Sequence, residues 1–333
     1  MQPETPTLAH VARLAEVSEN TVSRVIRNKG AIAPDTRVRV LKAIEQLGYV
    51  PNRAAGSLAS SSSMIIGVLL PSLSNIVFPE VLRGIHAALI ETPYQPMIGV
   101  TDYDPLQEQK LLASLLAWQP AAIITTGFEH TDATHRMLEN SRVRVAELME
   151  IDDKPIDIAV GLSHRSAGRQ AAHHLVSRGY RKIGYVGHDW TTDRRAHVRY
   201  LGLVEGLADH GLSLVAERRV DGPSSTLAGR DTLAALMAEG RALDAVAFSN
   251  DDMAVGGFMH CMAAGISVPE QLALFGFNGL EIGQALPRPL STILSNRFLI
   301  GKTAVERLLA SPERSTMRET IDTGFSIIPG ATA

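Results

Sequence analysis

The chain contains one cysteine, Cys261, which excludes an internal disulfide and cannot build a zinc site by itself. It has no long apolar run: the longest clear one, Met64 to Leu70, falls far short of the roughly 20 residues that a membrane span needs. Its start, Met1-Gln2-Pro3-Glu4-Thr5-Pro6, lacks the basic residues and apolar stretch of a secretory signal, so a cytoplasmic location with no membrane partner is expected. Catalytic signatures are missing too. There is no Gly-x-Ser-x-Gly elbow, no phosphate loop, and no pair of metal-ligand histidines backed by acids. His164, His173 and His174 share one predicted helix, where packing or surface roles are the ordinary ones. Asp251, after Asn250 at a strand-to-helix turn, reads as a helix cap. The expectation is a protein that is not an enzyme and carries no cofactor or metal.

Strong charge is also absent, since the net is only −3, but the charge is unevenly spread. Residues 1–62 hold eight Lys/Arg against five acids, a net of +3, which leaves −6 for the remainder. A small basic head on an acidic body is the asymmetry expected where one end meets phosphate.

Periodicity in the head predicts short helices. The first spans Thr7 to Ala15; the second is capped by Ser18 and runs to Arg27, burying Val22, Val25 and Ile26. A third starts at Pro34, behind the poor cap Ala33, and turns Val38, Leu41, Ile44 and Leu47 inward before Gly48 stops it. Helix, tight turn and capped helix make a helix-turn-helix, with Ala12 allowing close approach. The second helix presents Glu19, Asn20, Ser23 and Arg24, and such an Asn can pair with adenine and such an Arg with guanine in the major groove. Asn52 to Ala59 reads as either a plain linker or a short helix, which would be marginal in isolation and weakened by Gly56 by roughly 1 kcal/mol relative to Ala. A serine run, Ser60 to Ser63, then marks a boundary.

Beyond it, apolar runs alternate with amphipathic segments. Strands are predicted at Ile65–Leu70, Gln95–Val100, Ala121–Thr125, Arg144–Leu148, Lys182–Val186, Ala245–Phe248 and Leu272–Phe277. Helices fall near Phe78–Ile90, Pro105–Trp118, Ser163–Arg178, Val198–His210, Leu227–Ala238 and Asp251–Ala264. This alternation indicates parallel sheets covered by helices, and the pattern restarts near residue 160, giving two lobes with a ligand cleft between them.

The order of Val11-Ala12, Val17-Ser18, Thr21-Val22-Ser23-Arg24, Leu47-Gly48-Tyr49, Pro51-Asn52, Arg83-Gly84-Ile85, Ser249-Asn250-Asp251 and Phe275-Gly276-Phe277 resembles the lactose/galactose repressor (LacI/GalR) family. The runs Ile66 to Leu73, Phe78 to Ile85, Asp157 to Gly161 and Glu281 to Gln284 are similar to its gluconate-utilisation repressor branch. The resemblance implies an all-α helix-turn-helix head plus an α/β two-lobed periplasmic-binding-protein-like sensor. Its parts would be a head at 1–50, a hinge at 51–63, an N-lobe of 64–160 with about 290–320, and a C-lobe of 161–289 with about 321–333.

It further implies a homodimeric repressor on double-stranded DNA with a pseudo-palindromic operator, relieved by a sugar acid such as gluconate or a ketogluconate. Residues 19, 20 and 24 would read base edges, and Leu58 would wedge into the minor groove. The other candidate DNA contacts are Thr7, Ser18, Thr21, Ser23, Asn28, Tyr49, Asn52, Arg53 and Ser57. Two positions depart from the family's head: Glu16 stands where Gly is usual, and His10 where Asp is common. Candidate effector contacts are Ser72, Ser74, Asn75, Phe78, Glu147 and Met149 from the first lobe. The second lobe would add Arg199, Ser224, Ser225, Asn250 and Asn278. Asn278 in place of a usual Asp, and the loss of two stacking aromatics, favour an anionic ligand over a neutral sugar ring. With no leucine heptad tail near Ser326 to Gly330, a dimer is expected rather than a larger assembly. The rival readings are a ligand that acts as corepressor and, from another class, a sugar-acid-metabolising enzyme.

Overall fold

Among the described residues, three helices build the first unit: α1 (Leu8–Leu14), α2 (Glu19–Ile26) and α3 (Pro34–Leu47). The computed structural model describes residues 5–26, 30–50, 63–191, 193–311, 313–315 and 317–333, and these divide into two units at Ser63/Met64. The stretch predicted as a hinge helix lies outside the described residues, as do Asn28, Asn52, Arg53, Gly56, Ser57 and Leu58. In the first unit Val11, Ala12, Ala15, Val22, Val25, Val40 and Ala43 form the core. The face of α3 is therefore rotated from expectation. Val40 and Ala43 are buried, while Val38 and Leu41 are 63% and 52% exposed. Ile44 and Leu47 lie against the core from its edge, as a 3.6-residue repeat from Val40 requires.

The second unit holds two six-stranded sheets. The first is ordered β11-β5-β4-β3-β1-β2, from β1 (Ile65–Leu70), β2 (Gln95–Val100), β3 (Ala122–Thr126), β4 (Arg144–Glu150), β5 (Ile158–Leu162) and β11 (Glu319–Asp322). The second is ordered β12-β10-β9-β8-β6-β7, from β6 (Ile183–Gly187), β7 (Ala216–Arg219), β8 (Ala245–Phe248), β9 (Ala273–Asn278), β10 (Ser291–Ser295) and β12 (Phe325–Ile328). The two orders are the same pattern repeated. Strand β1 pairs in parallel with β2 and β3, as β6 does with β7 and β8, and the pairing of β10 with β12 is antiparallel.

The helices are α4 (Phe78–Leu89), α5 (Pro105–Ala117), α6 (Asp132–Asn140), α7 (His164–Ser177), α8 (Arg194–Ala208), α9 (Thr226–Met237), α10 (Asp251–Ala264), α11 (Glu281–Gln284) and α12 (Arg297–Ala310). The chain crosses between sheets after β5, after β10 and between β11 and β12. Strand β10 lies inside the second sheet, between β9 and β12, so the segment returning to the first lobe begins at Asn296, a few residues after the expected 290, and ends with β11 at Asp322. Helix α12 packs against α4 there, and its Arg297 begins at the crossing. No described helix is long and apolar enough to cross a membrane.

Helices α7 and α8 approach closely because two glycines face each other's backbone. A Cβ on Gly168 would lie 1.9 Å from the Arg199 carbonyl oxygen, and one on Gly202 would lie 2.0 Å from that of Arg165. This contact fixes the height of Arg199 above the start of α7.

Candidate functional site

In the head, Thr7 caps α1 by accepting from His10 N at 3.4 Å, and Thr7 N donates to His10 Nδ1 at 3.3 Å. His10, a departure from the family pattern, thus closes a reciprocal capping box. Glu16 occupies the turn at a φ of 54°, the left-handed conformation that glycine adopts without strain. Ser18 Oγ accepts from Thr21 N at 3.2 Å and so starts α2. Glu19, Asn20 and Arg24 are exposed, Thr21 and Ser23 half-buried, and Tyr49 leans on the core. The Arg24 guanidinium donates to Ala31 O at 3.4 Å, which holds the side chain along the helix surface. A helix bearing an exposed Asn20 in its first turn and an exposed Arg24 in its last has the chemistry for base edges and phosphate.

The first-lobe wall of the cleft starts after β1. Ser72 Oγ accepts from Ser74 N and Asn75 N, at 3.2 and 3.1 Å, and Asn75 Nδ2 donates to Tyr103 Oη at 2.9 Å. Phe78 is fully buried, so it offers no surface to a ligand; its ring lies 5.8 Å beneath the Arg195 guanidinium. Glu147 does not reach the cleft. Its carboxylate turns to the opposite face of β4, where Oε2 accepts from Ile156 N at 2.5 Å and Oε1 lies 3.4 Å from His130 Nε2. His130 Nδ1 sits 2.6 Å from Glu108 Oε1 on its other side. Burial opposes the charge on this ring, but the two carboxylates outweigh it and raise its pKa to about 9. The Met149 side chain is likewise in the core and not in the cleft. Glu150 is the β4 carboxylate that feels the charges of the second lobe, Arg195 and Arg194.

That lobe supplies arginines. Asp193 caps α8 through Ala196 N at 3.2 Å and accepts from Arg195 Nε at 3.5 Å. Burial works against the Asp193 charge, yet Arg195, His188 and Arg199 hold its carboxyl well below the usual range. Arg195 is 8% exposed, and its Nη1 has no hydrogen-bond partner among the described residues. Arg194 reaches across to Glu129 Oε1 at 3.2 Å, an ion pair at the rim. Arg199 lies 4.1 Å over the Phe277 ring and donates to His164 Nδ1 and to Ser249 O, both at 3.1 Å. Burial and the neighbouring arginines hold His164 well below its usual pKa, so it is neutral. Its Nε2–H then donates to Met149 O at 3.0 Å, and the two partners fix the tautomer. Beside Arg199 is a cavity of about 30 Å³ lined by Tyr185, Tyr200 and Phe275, large enough for one water and far too small for a sugar.

Among the other expected contacts, Ser225 spends its hydroxyl capping α9, and Ser224 lies 3.1 Å from Asp252 Oδ2. Asn250, not Asp251, caps α10. Asp251 is fully buried and accepts from Thr292 Oγ1 and Leu280 N, both at 2.6 Å, and burial pushes its carboxyl up to about 6. Asn278 ends β9 at a φ of 121°, its carbonyl held by Arg297. The residues that sequence reasoning missed are Glu129, Glu150, Asp193, Arg194 and Arg195. Asp193 as a cap ahead of two arginines was the available signal, because cations are disfavoured in the first turn of a helix.

Residues 7–52 match the family described as bacterial regulatory proteins, lacI family, and residues 172–332 match the periplasmic binding protein-like domain. The chain is 37% identical over 331 residues to the HTH-type transcriptional regulator GntR of Escherichia coli (strain K12), covering 99% of both. It is 42% identical, with a TM-score of 0.92, to the crystal structure of a LacI-family transcriptional regulator from Silicibacter pomeroyi, covering 98% of this chain and 99% of that one. The lac repressor dimer bound to operator and the anti-inducer ONPF shares the fold, with a TM-score of 0.87 at 24% identity and 99% of each chain covered.

Proposed function

The chain belongs to the LacI/GalR family of DNA-binding transcriptional regulators, in the branch of the GntR regulators, and on that premise we propose that it is a homodimeric repressor released from a pseudo-palindromic operator by a sugar acid bound between its lobes. The observation that carries the effector reading is the pair Arg195 and Arg199 on one wall of the cleft, the first with a buried, unpartnered Nη1. Arg195 meets Asp193 through its Nε at 3.5 Å, while its Nη1 has no hydrogen-bond partner among the described residues, and a carboxylate matches that side of the guanidinium fork. Glu19, Asn20 and Arg24 read bases in this proposal. The hinge at 51–63, with Leu58 as the minor-groove wedge and Gly56 keeping it marginal, couples the two functions. Support for the dimer comes from apolar side chains left at the surface: Met97 and Ile98 on the edge strand β2, and Met259, Met262 and Ile282 on α10 and α11.

Fluorescence anisotropy of the full-length protein, on a pseudo-palindromic duplex selected from a random pool, tests the reading. Addition of gluconate or 5-ketogluconate at millimolar concentration is expected to weaken DNA binding. Tighter binding would reverse the sign to corepression. No effect of either acid would remove the sugar-acid assignment while leaving the DNA-binding one intact.

A further inference from the structure

Two buried, unsatisfied polar atoms of opposite character stand on opposite lobes, close enough for Arg195 to pull on the Glu150 charge. Glu150, 3% exposed at the end of β4, has an Oε1 with no hydrogen-bond partner among the described residues; Arg195 Nη1 is the same case on α8. Their neighbours are accounted for. Glu129 from the β3–α6 loop and Asp152 from the β4–β5 loop press negative charge on Glu150, while Arg194 and Arg195 from α8 oppose it. Arg194 is engaged with Glu129, and Arg195 is steadied by Asp193 and by the Phe78 ring beneath it. Two consecutive arginines in the first turn of α8 sit at the positive end of the helix dipole, an arrangement that is unfavourable until anions reach it.

We propose that Arg195 and Glu150 together form a proton-linked site for a polyhydroxylated carboxylate, in which the ligand's carboxylate takes Arg195 Nη1 while Glu150 keeps a proton and hydrogen-bonds a ligand hydroxyl. This rests on the sugar-acid reading above and adds the stoichiometry of one proton. In the free protein burial, then Glu129, raise the Glu150 carboxyl to about 7 against the pull of Arg195 and Arg194. A ligand carboxylate that occupies Arg195 removes the larger of those two opposing charges and brings a further negative charge close by. Both effects favour protonated Glu150 in the complex. The sign follows: binding takes up a proton wherever Glu150 is ionised in the free protein, so affinity falls as pH rises through 7.

Gluconate is itself ionised throughout this range, since such carboxyl groups titrate below about pH 4. Its Kd, measured by isothermal calorimetry on the full chain, is expected to rise about tenfold from pH 6 to pH 8. Heats compared in phosphate and Tris buffers at pH 8 should show uptake of about one proton. Glu150→Gln should bind gluconate with a flat profile over the same range, which separates Glu150 from His188 and other groups near the cleft. Binding of gluconate or 5-ketogluconate with no proton uptake, or a Glu150→Gln protein that keeps the wild-type pH slope, overturns the proposal alone. If neither acid binds the wild-type protein at 10 mM, the sugar-acid reading falls and takes this proposal with it.

Discussion

Replacing His130 by Leu tests the buried charge network that supports the first-lobe wall. The imidazole side chain is 2% exposed and lies between Glu108 and Glu147, whose side chains are 10% and 2% exposed. A pKa raised from 6.5 to about 9 corresponds to about 3 kcal/mol of preference for the protonated ring in the folded state. That stabilisation is complete below the unfolded value of 6.5 and is lost as pH rises through 9. The wild-type unfolding free energy should therefore fall by about 3 kcal/mol between pH 6.5 and pH 10, at up to roughly 1.4 kcal/mol per pH unit. In His130→Leu two buried carboxylates face an apolar side chain, and removing one partner of such a set costs about 3–5 kcal/mol near pH 7. Above pH 9 the wild-type ring is neutral as well, and the two proteins should converge.

The chain has two tryptophans, so a Trp190→Phe background leaves Trp118, at the end of α5, as the fluorescent probe for urea unfolding. A wild-type stability that stays flat from pH 7 to pH 10, or a deficit in the variant that does not shrink with pH, would refute the reasoning. The network also bears on function, because His130 directly follows the rim residue Glu129.

Three further outcomes are expected. Arg24→Ala should cost about 1–3 kcal/mol in binding the selected duplex, with an unchanged melting temperature for the head; equal affinity for wild type and variant would take Arg24 out of the base-reading set. Glu16→Gly should stabilise the head by about 1 kcal/mol in thermal unfolding, because it relieves a left-handed turn residue, and a loss of stability would show that the ion pair to Arg39 matters more. Gly202→Ala drives a Cβ onto the Arg165 carbonyl and should destabilise the sensor by about 1–3 kcal/mol while weakening gluconate binding through displaced Arg199; calorimetry on the folded variant reads the second effect.

Much of the architecture was legible because burial imposes periodicity. Strands such as Ile65–Leu70 and Ala245–Phe248 are buried on both faces and read as continuous apolar runs. The return path was not. Strands β10 and β11 and helix α12 owe their places to contacts distant in sequence, so local pattern gave them no identity. In the cleft, Glu147 and Met149 were chosen over Glu150 by position in a family pattern. The chain conformation decides otherwise: Met149 has a φ of 83°, which breaks the alternation of β4 and turns residue 150 toward the second lobe. Arg195 was missed because apolar periodicity in α8 starts near Val198, whereas Asp193 starts the helix a turn earlier.

The two lobes carry the same device at equivalent places. Strands β4 and β9 occupy matching positions in the two sheets, and each carries a residue other than glycine at positive φ near its end: Met149, next to last in β4, and Asn278, last in β9. Each of those carbonyls is held by the first residue of the helix that follows the next crossing, His164 on α7 and Arg297 on α12. Strained residues of this kind cost on the order of 1–3 kcal/mol and persist only where their surroundings over-determine them. The two locks are not equally accessible to a ligand. Arg297 is held by Asn278 O and Ser295 Oγ within its own crossing, while His164 accepts its second hydrogen bond from Arg199, on the cleft wall. In the proposed function a ligand oxygen that drew Arg199 Nη1 away would compete with His164 Nδ1 and leave the Arg297 lock untouched. The coupling energies of ligand-controlled regulators, about 1–3 kcal/mol, are of the same size as the strain at a single lock.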